Sequence, residues 1–135
     1  MPLQSPIIPA YPACVALVDG EPTIRRARQL MLLAENFEVR AYATCQALLA
    51  DPLALRSACV VADVDMGDVT GLELLHRMRK AGWQGYAILL ADEIPAELAD
   101  TANDGHVQTM LPKALGNRPL LYAVRAAIRQ SGARQ

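Results

Sequence analysis

Aromatic side chains are scarce in this chain, with one Trp, four Tyr and one Phe among 135 residues. Proteins that hold single-stranded nucleic acid by stacking bases on exposed rings need more of them. That class is excluded, and the core must be aliphatic. Charge of one sign is lacking too: 13 Lys and Arg stand against 14 Asp and Glu, a net charge of −1. No global positive field exists to gather phosphate backbones or an anionic membrane surface, so neither nucleic acid nor membrane is expected as a direct partner. Cysteine is limited to Cys14, Cys45 and Cys59, an odd number without C-x-x-C spacing. This argues against a disulfide framework or a zinc site and points to a reducing, cytoplasmic setting.

Long apolar runs are missing as well, and the opening "MPLQSPIIPAYPA" has no basic n-region. It is not a signal peptide or a membrane span, and residues 1–12 read as a loose arm. At 135 residues, 53% of them hydrophobic, the chain fits one domain, expected over residues 13–131 with a tail at 132–135.

Apolar runs of strand length alternate with segments of helical period. "CVALVD" is a strand. Ile24, Ala27, Met31 and Ala34 then recur at helical spacing behind Pro22, which suits a first helical turn. "FEVRAYA" alternates at period two, Thr44 caps a short helix and Pro52 ends it. "ACVVAD" is a third strand and "GLELLHRMRKAG" a third helix closed by Gly82; "YAILLA" is a fourth strand, and Pro95 opens a fourth helix. "HVQTML" is a fifth strand, and a last helix carries Leu121, Val124 and Ile128 on one face. Strands that alternate with helices pair in parallel, so the expected fold is α/β, a five-stranded parallel sheet with helices on both faces.

In such sheets ligands bind at the carboxyl ends of the strands. Asp19 ends the first strand, Asp63 ends the third, and Asp65 and Asp68 follow in "DVDMGD"; Lys113 follows the fifth strand. Carboxylates brought together raise one another's pKa unless a cation joins them. An acidic, oxygen-rich pocket suits magnesium with a phosphoryl group as guest. Two bland readings compete for the hexamer. The Asp residues could fix a turn with Gly67, and an EF-hand loop is excluded because Gly67 precedes Asp68 and the twelfth position is Leu74.

The stretches "LVDGEPTIRRARQLMLLAENFEVRAYAT", "VVADVDMGDVTGLELLHRM", "AILLAD" and "LPKAL" resemble the receiver domain of two-component response regulators, a flavodoxin-like (βα)5 fold. The resemblance implies that a histidine kinase or histidine phosphotransfer protein donates a phosphoryl group to Asp63, with Lys113 beside it and magnesium held by acidic residues. It implies a signalling protein rather than an enzyme. Several family positions differ. The second acid after strand one is Gly20, so the expected metal set is Asp19, Glu21, Asp63 and Asp65, binding magnesium weakly. The Ser or Thr position holds Leu90, the aromatic switch position holds Met110, and Ala114 follows Lys113.

The expected function is therefore that of a single-domain response regulator in a phosphorelay, with an atypical switch and an unknown output protein. Two alternatives are a pseudo-receiver that binds partners without phosphorylation and, less favoured, a D-x-D phosphatase using Asp63 and Asp65. His76 and His106 read as solvated side chains. Arg25, Arg26 and Arg28 on helix one read as a wet face with a docking role for a partner.

Overall fold

The computed structural model describes residues 13–65, 67–92 and 108–133. The arm at 1–12, the helix expected from Pro95 and His106 lie outside the described residues. Five strands, β1 (Cys14–Val18), β2 (Glu38–Tyr42), β3 (Cys59–Asp63), β4 (Tyr86–Ala91) and β5 (Gln108–Pro112), form one sheet of order β2-β1-β3-β4-β5. Every pairing is parallel. The described helices are α1 (Pro22–Ala34), α2 (Cys45–Leu49), α3 (Gly71–Lys80) and the C-terminal α4 (Asn117–Ala133).

Successive strand residues point to opposite faces, so a sheet covered on both sides must be apolar at every position. All five residues of β3 are buried. One face, with Ala16, Val60, Ala62 and Leu89, packs on Leu48, Leu74 and Met78 of α2 and α3. The other, with Val15, Leu17, Val61 and Ile88, packs on Leu32 of α1 and on Leu120 and Val124 of α4.

Local signals set the helix ends. The Glu21 carboxylate accepts from the amides of Thr23 and Ile24, Thr44 Oγ1 from Ala47 N, and Thr70 Oγ1 from Glu73 N. Gly82 follows α3 at φ +102°, a conformation that costs a side chain strain.

The orientation of α1 differs from the sequence expectation. Ile24, Ala27 and Ala34 are exposed and Met31 is half-buried, whereas Arg28 and Leu32 are buried. Two observations account for the rotation. Leu32 takes the apolar core, and one turn earlier Arg28 meets the buried carboxylate at the end of β1. The wet-face reading of Arg25, Arg26 and Arg28 is thereby corrected for two of the three, since Arg25 is half-buried with Nη1 donating to the Asp19 carbonyl at 2.8 Å.

α3 starts directly against the end of β3. Gly71 N donates to Val64 O at 2.9 Å, and a Cβ on Gly71 would lie 2.6 Å from the Asp63 carbonyl oxygen. Glycine is required there by proximity. Gly71→Ala is expected to lower the urea-unfolding free energy by about 1–3 kcal/mol, the usual cost of overpacking, because backbone must shift.

Candidate functional site

Strand order reverses between β1 and β3, which opens a crevice at their carboxyl ends. Val18 pairs with Ala62, so the next residues, Asp19 and Asp63, emerge side by side. Asp63 is itself the last residue of β3, and Lys113 directly follows Pro112 at the end of β5. Asp19, Asp63 and Lys113 thus meet at one edge, as the sequence suggested. With Gly20, Glu21, Ile24, Arg28, Asp65 and Gly67 they line a cleft of about 220 Å³.

The carboxylates in this cleft are deeply placed, with Asp19 3% and Asp63 8% exposed. Arg28, 9% exposed, reaches between them: its Nη1 donates to Asp19 Oδ2 at 2.6 Å and lies 3.9 Å from Asp63 Oδ1. From the opposite side Lys113 Nζ lies 3.4 Å from Asp63 Oδ2. Two buried carboxylates therefore face two cations. Burial pushes the Asp63 carboxyl above its ordinary value; Lys113 opposes that shift, the Asp19 charge adds to it, and Arg28 opposes it. Asp63 Oδ1 and Arg28 Nε are buried without a hydrogen-bond partner among the described residues.

The remaining expected residues divide. Asp65 is exposed at the rim of the cleft. Glu21 also lines it, yet both its carboxylate oxygens are bonded to the first turn of α1. Asp68 Oδ2 accepts from Gln46 N at 3.0 Å, which ties the loop after β3 to the start of α2 and agrees with a turn-fixing role. Leu90, opposite Asp63 in the sheet register, is buried among the core side chains that pack on α4, and Met110 is buried on the other face. His76 is exposed. Sequence reasoning missed Arg28. The signal was there in the spacing of Arg25, Arg28 and Leu32, an inward stripe behind a strand that ends in an acid.

Magnesium takes near-octahedral oxygen ligands and keeps several waters. The expected set does not assemble in that form: a guanidinium closes Asp19, backbone amides hold Glu21, and Gly20 brings no donor. Among the described residues no group of three or more His, Cys, Asp or Glu side chains converges to hold a metal ion. The residues present do not fit the ion in this arrangement.

A doubly wound α/β domain with an acidic crevice at its switch point is the class that fold and site define. A profile of the response regulator receiver domain matches residues 15–125. The chain belongs to that family. It is 29% identical over 114 residues to the transcriptional regulatory protein TdiR of Thauera aromatica, covering 84% of this chain and 50% of that protein. It is 26% identical over 117 residues to the transcriptional regulatory protein FixJ of Azorhizobium caulinodans, covering 87% and 56%. The chain thus spans about half the length of these curated relatives. Among solved structures, a CheY-like receiver domain protein from Methanospirillum hungatei superposes with a TM-score of 0.81 at 19% identity, over 92% of this chain and 99% of that one. TrrA of Thermotoga maritima, solved in complex with Mg2+–BeF, gives 0.70 at 21% identity over 85% and 98%. Receiver domains bind magnesium at the phosphorylation site. No helix among the described residues is long and apolar enough to cross a membrane.

The raised Asp63 carboxyl has a stability consequence. A carboxyl whose folded value lies above its unfolded one costs stability when ionised: the cost is full above the folded value and disappears below the ordinary value of about 3.9. Asp63→Asn is therefore expected to melt higher than the natural protein near pH 8. That advantage should vanish as the pH approaches 3, in thermal unfolding followed by circular dichroism.

Proposed function

We propose that Asp63 accepts a phosphoryl group from the phosphohistidine of a histidine kinase or a histidine phosphotransfer protein. The observation that carries this reading is the state of Asp63. It is a buried carboxylate at the end of the central strand, with Oδ1 free of hydrogen-bond donors among the described residues and a lysine ammonium 3.4 Å from Oδ2.

A carboxylate oxygen of Asp63 attacks phosphorus, the P–O bond forms and the P–N bond breaks. The bonding pair stays on the ring nitrogen, and a donor imidazole protonated at its second nitrogen leaves as the neutral ring. Lys113 meets the negative charge on the transferring oxygens as they arrive. The protein ends as an acyl phosphate, so it is a stoichiometric acceptor rather than a turnover enzyme. Magnesium contributes little on this reading, since the Asp19 carboxylate is already engaged.

Acceptance and read-out separate in this chain. The position that would offer a hydroxyl to the phosphoryl group is Leu90, turned into the core, and the switch position is the buried Met110. Neither side chain offers a hydroxyl or an aromatic ring to a phosphoryl group, which supports an atypical switch. The three cysteines are free thiols, compatible with the cytoplasm. Output through a protein partner, as a single domain or within a longer chain, is part of the same proposal.

Incubation with acetyl phosphate followed by intact mass is expected to add one phosphoryl group, absent in Asp63→Asn. Lys113→Ala should slow labelling about tenfold or more, by analogy with loss of one oxyanion donor. Labelling that persists in Asp63→Asn would refute the assignment. If no labelling occurs at all, a partner-binding module independent of phosphorylation takes its place.

The atypical switch has its own measurement. On adding beryllofluoride, amide chemical-shift changes are expected to concentrate at Asp19, Asp63 and Lys113. Comparable changes along the body of β4 and β5 would rule the reading out.

A further inference from the structure

We propose that Arg28 is the resident cation of this site, holding the place between Asp19 and Asp63 so that phosphoryl acceptance needs no divalent metal. The inference rests on Asp63 being the acceptor and goes beyond it by naming what neutralises the charge.

The first argument is the placement of the guanidinium. One nitrogen, Nη1, bridges the two carboxylates at 2.6 Å and 3.9 Å. A buried arginine is costly unless paired, and this one is held at the crossing of exactly the groups that would otherwise repel each other. The second is charge. Asp19 and Asp63 are paired with Arg28 and Lys113, and of the other two carboxylates in the cleft Glu21 is bonded to the first turn of α1 and Asp65 is exposed at the rim, so a divalent ion between Asp19 and Asp63 would meet a fixed guanidinium and no unpaired buried carboxylate. The third is the pair of orphaned atoms. Among the described residues Arg28 Nε is a buried donor without an acceptor, and Asp63 Oδ1 is a buried acceptor without a hydrogen-bond donor. A phosphoryl group on Asp63 brings new acceptor oxygens to that side of the cleft, and a guanidinium matches phosphate oxygens with two donors in one plane. During transfer, as the P–O bond forms at Asp63 and the P–N bond breaks, Arg28 and Lys113 face the phosphoryl oxygens from two sides. Gly20 completes the case, because it brings no further carboxylate beside Asp19, which the guanidinium already holds.

The test compares labelling by acetyl phosphate in excess EDTA and in millimolar magnesium, for the natural protein, Arg28→Ala and Arg28→Lys, with calorimetric magnesium titrations of all three. The natural protein should label at rates that agree within about twofold in the two buffers, since the metal supplies nothing that the guanidinium does not. Arg28→Ala should lose about tenfold or more in EDTA and recover with magnesium, and it should bind the ion more tightly than the natural protein. Arg28→Lys, which keeps the charge, should fall between them. Labelling of the natural protein that collapses in EDTA and returns with magnesium would overturn the proposal, and that arm needs no variant to fold. If neither buffer gives labelling, the acceptor assignment fails separately. Calorimetry then decides the seat: tighter magnesium binding by either variant upholds it, and equal binding by all three overturns it.

Discussion

The hydrogen bond from Arg28 to Asp19, inside a cleft walled by two strand ends, is the contact on which the rest of the site depends. Asp19 and Asp63 are forced together by backbone pairing, because β1 and β3 are neighbours and their registers place both acids one step past Val18 and Ala62. Neither can move away without breaking the sheet. Their repulsion is therefore built into the fold, and something positive has to stand between them. Arg28 does so from α1, while Lys113 at the end of β5 faces Asp63, so one crossover helix, the central strands and β5 converge on one electrostatic balance. Removing one partner of a buried pair such as Arg28 and Asp19 typically costs about 3–5 kcal/mol, which ties the stability of the domain to this pair, whereas the ionised Asp63 beside it is a cost.

The same balance explains the rotation of α1. An apolar stripe through Ile24, Ala27 and Ala34 was available, yet the helix turns those side chains to water and buries Arg28. Leu32 keeps one apolar anchor against the sheet, and Arg25 holds the Asp19 carbonyl, so the helix is fixed by polar contacts at its start and by packing at its end. A second anchor is the ion pair between Arg125 of α4 and Glu35, which lies just past the end of α1.

This chain, a member of the receiver family, sets Asp63 at the end of β3 and Lys113 after β5, and on the proposed reading the surrounding positions are altered from the family pattern. The alterations are coherent when taken together. Gly20 brings no carboxylate and Arg28 brings a buried cation, and both shift the cleft toward positive charge. Leu90 and Met110 are side chains that join the core. The sheet itself is indifferent to these changes, since strand pairing uses backbone groups and the core faces remain aliphatic. That indifference is how the fold can be shared at 19% identity with a solved receiver.

Much of the molecule was legible in the order of its residues. The alternation of apolar runs with helical periods determined the parallel sheet, because each crossover must return the chain to the same edge. Thr44, Pro52 and Gly82 marked helix ends through local backbone chemistry, and the acids after β1 and β3 with Lys113 after β5 marked the site, because strand ends in such a sheet share one edge. What the sequence by itself could not determine was how the charges there pair. Glu21 read as a metal ligand although its carboxylate caps α1, and Arg28 looked like one of three solvent-facing arginines. Tertiary structure decided both, since a helix can rotate about its axis at little cost to its own hydrogen bonds, and only the position of a buried carboxylate across a few ångströms selects which face turns inward.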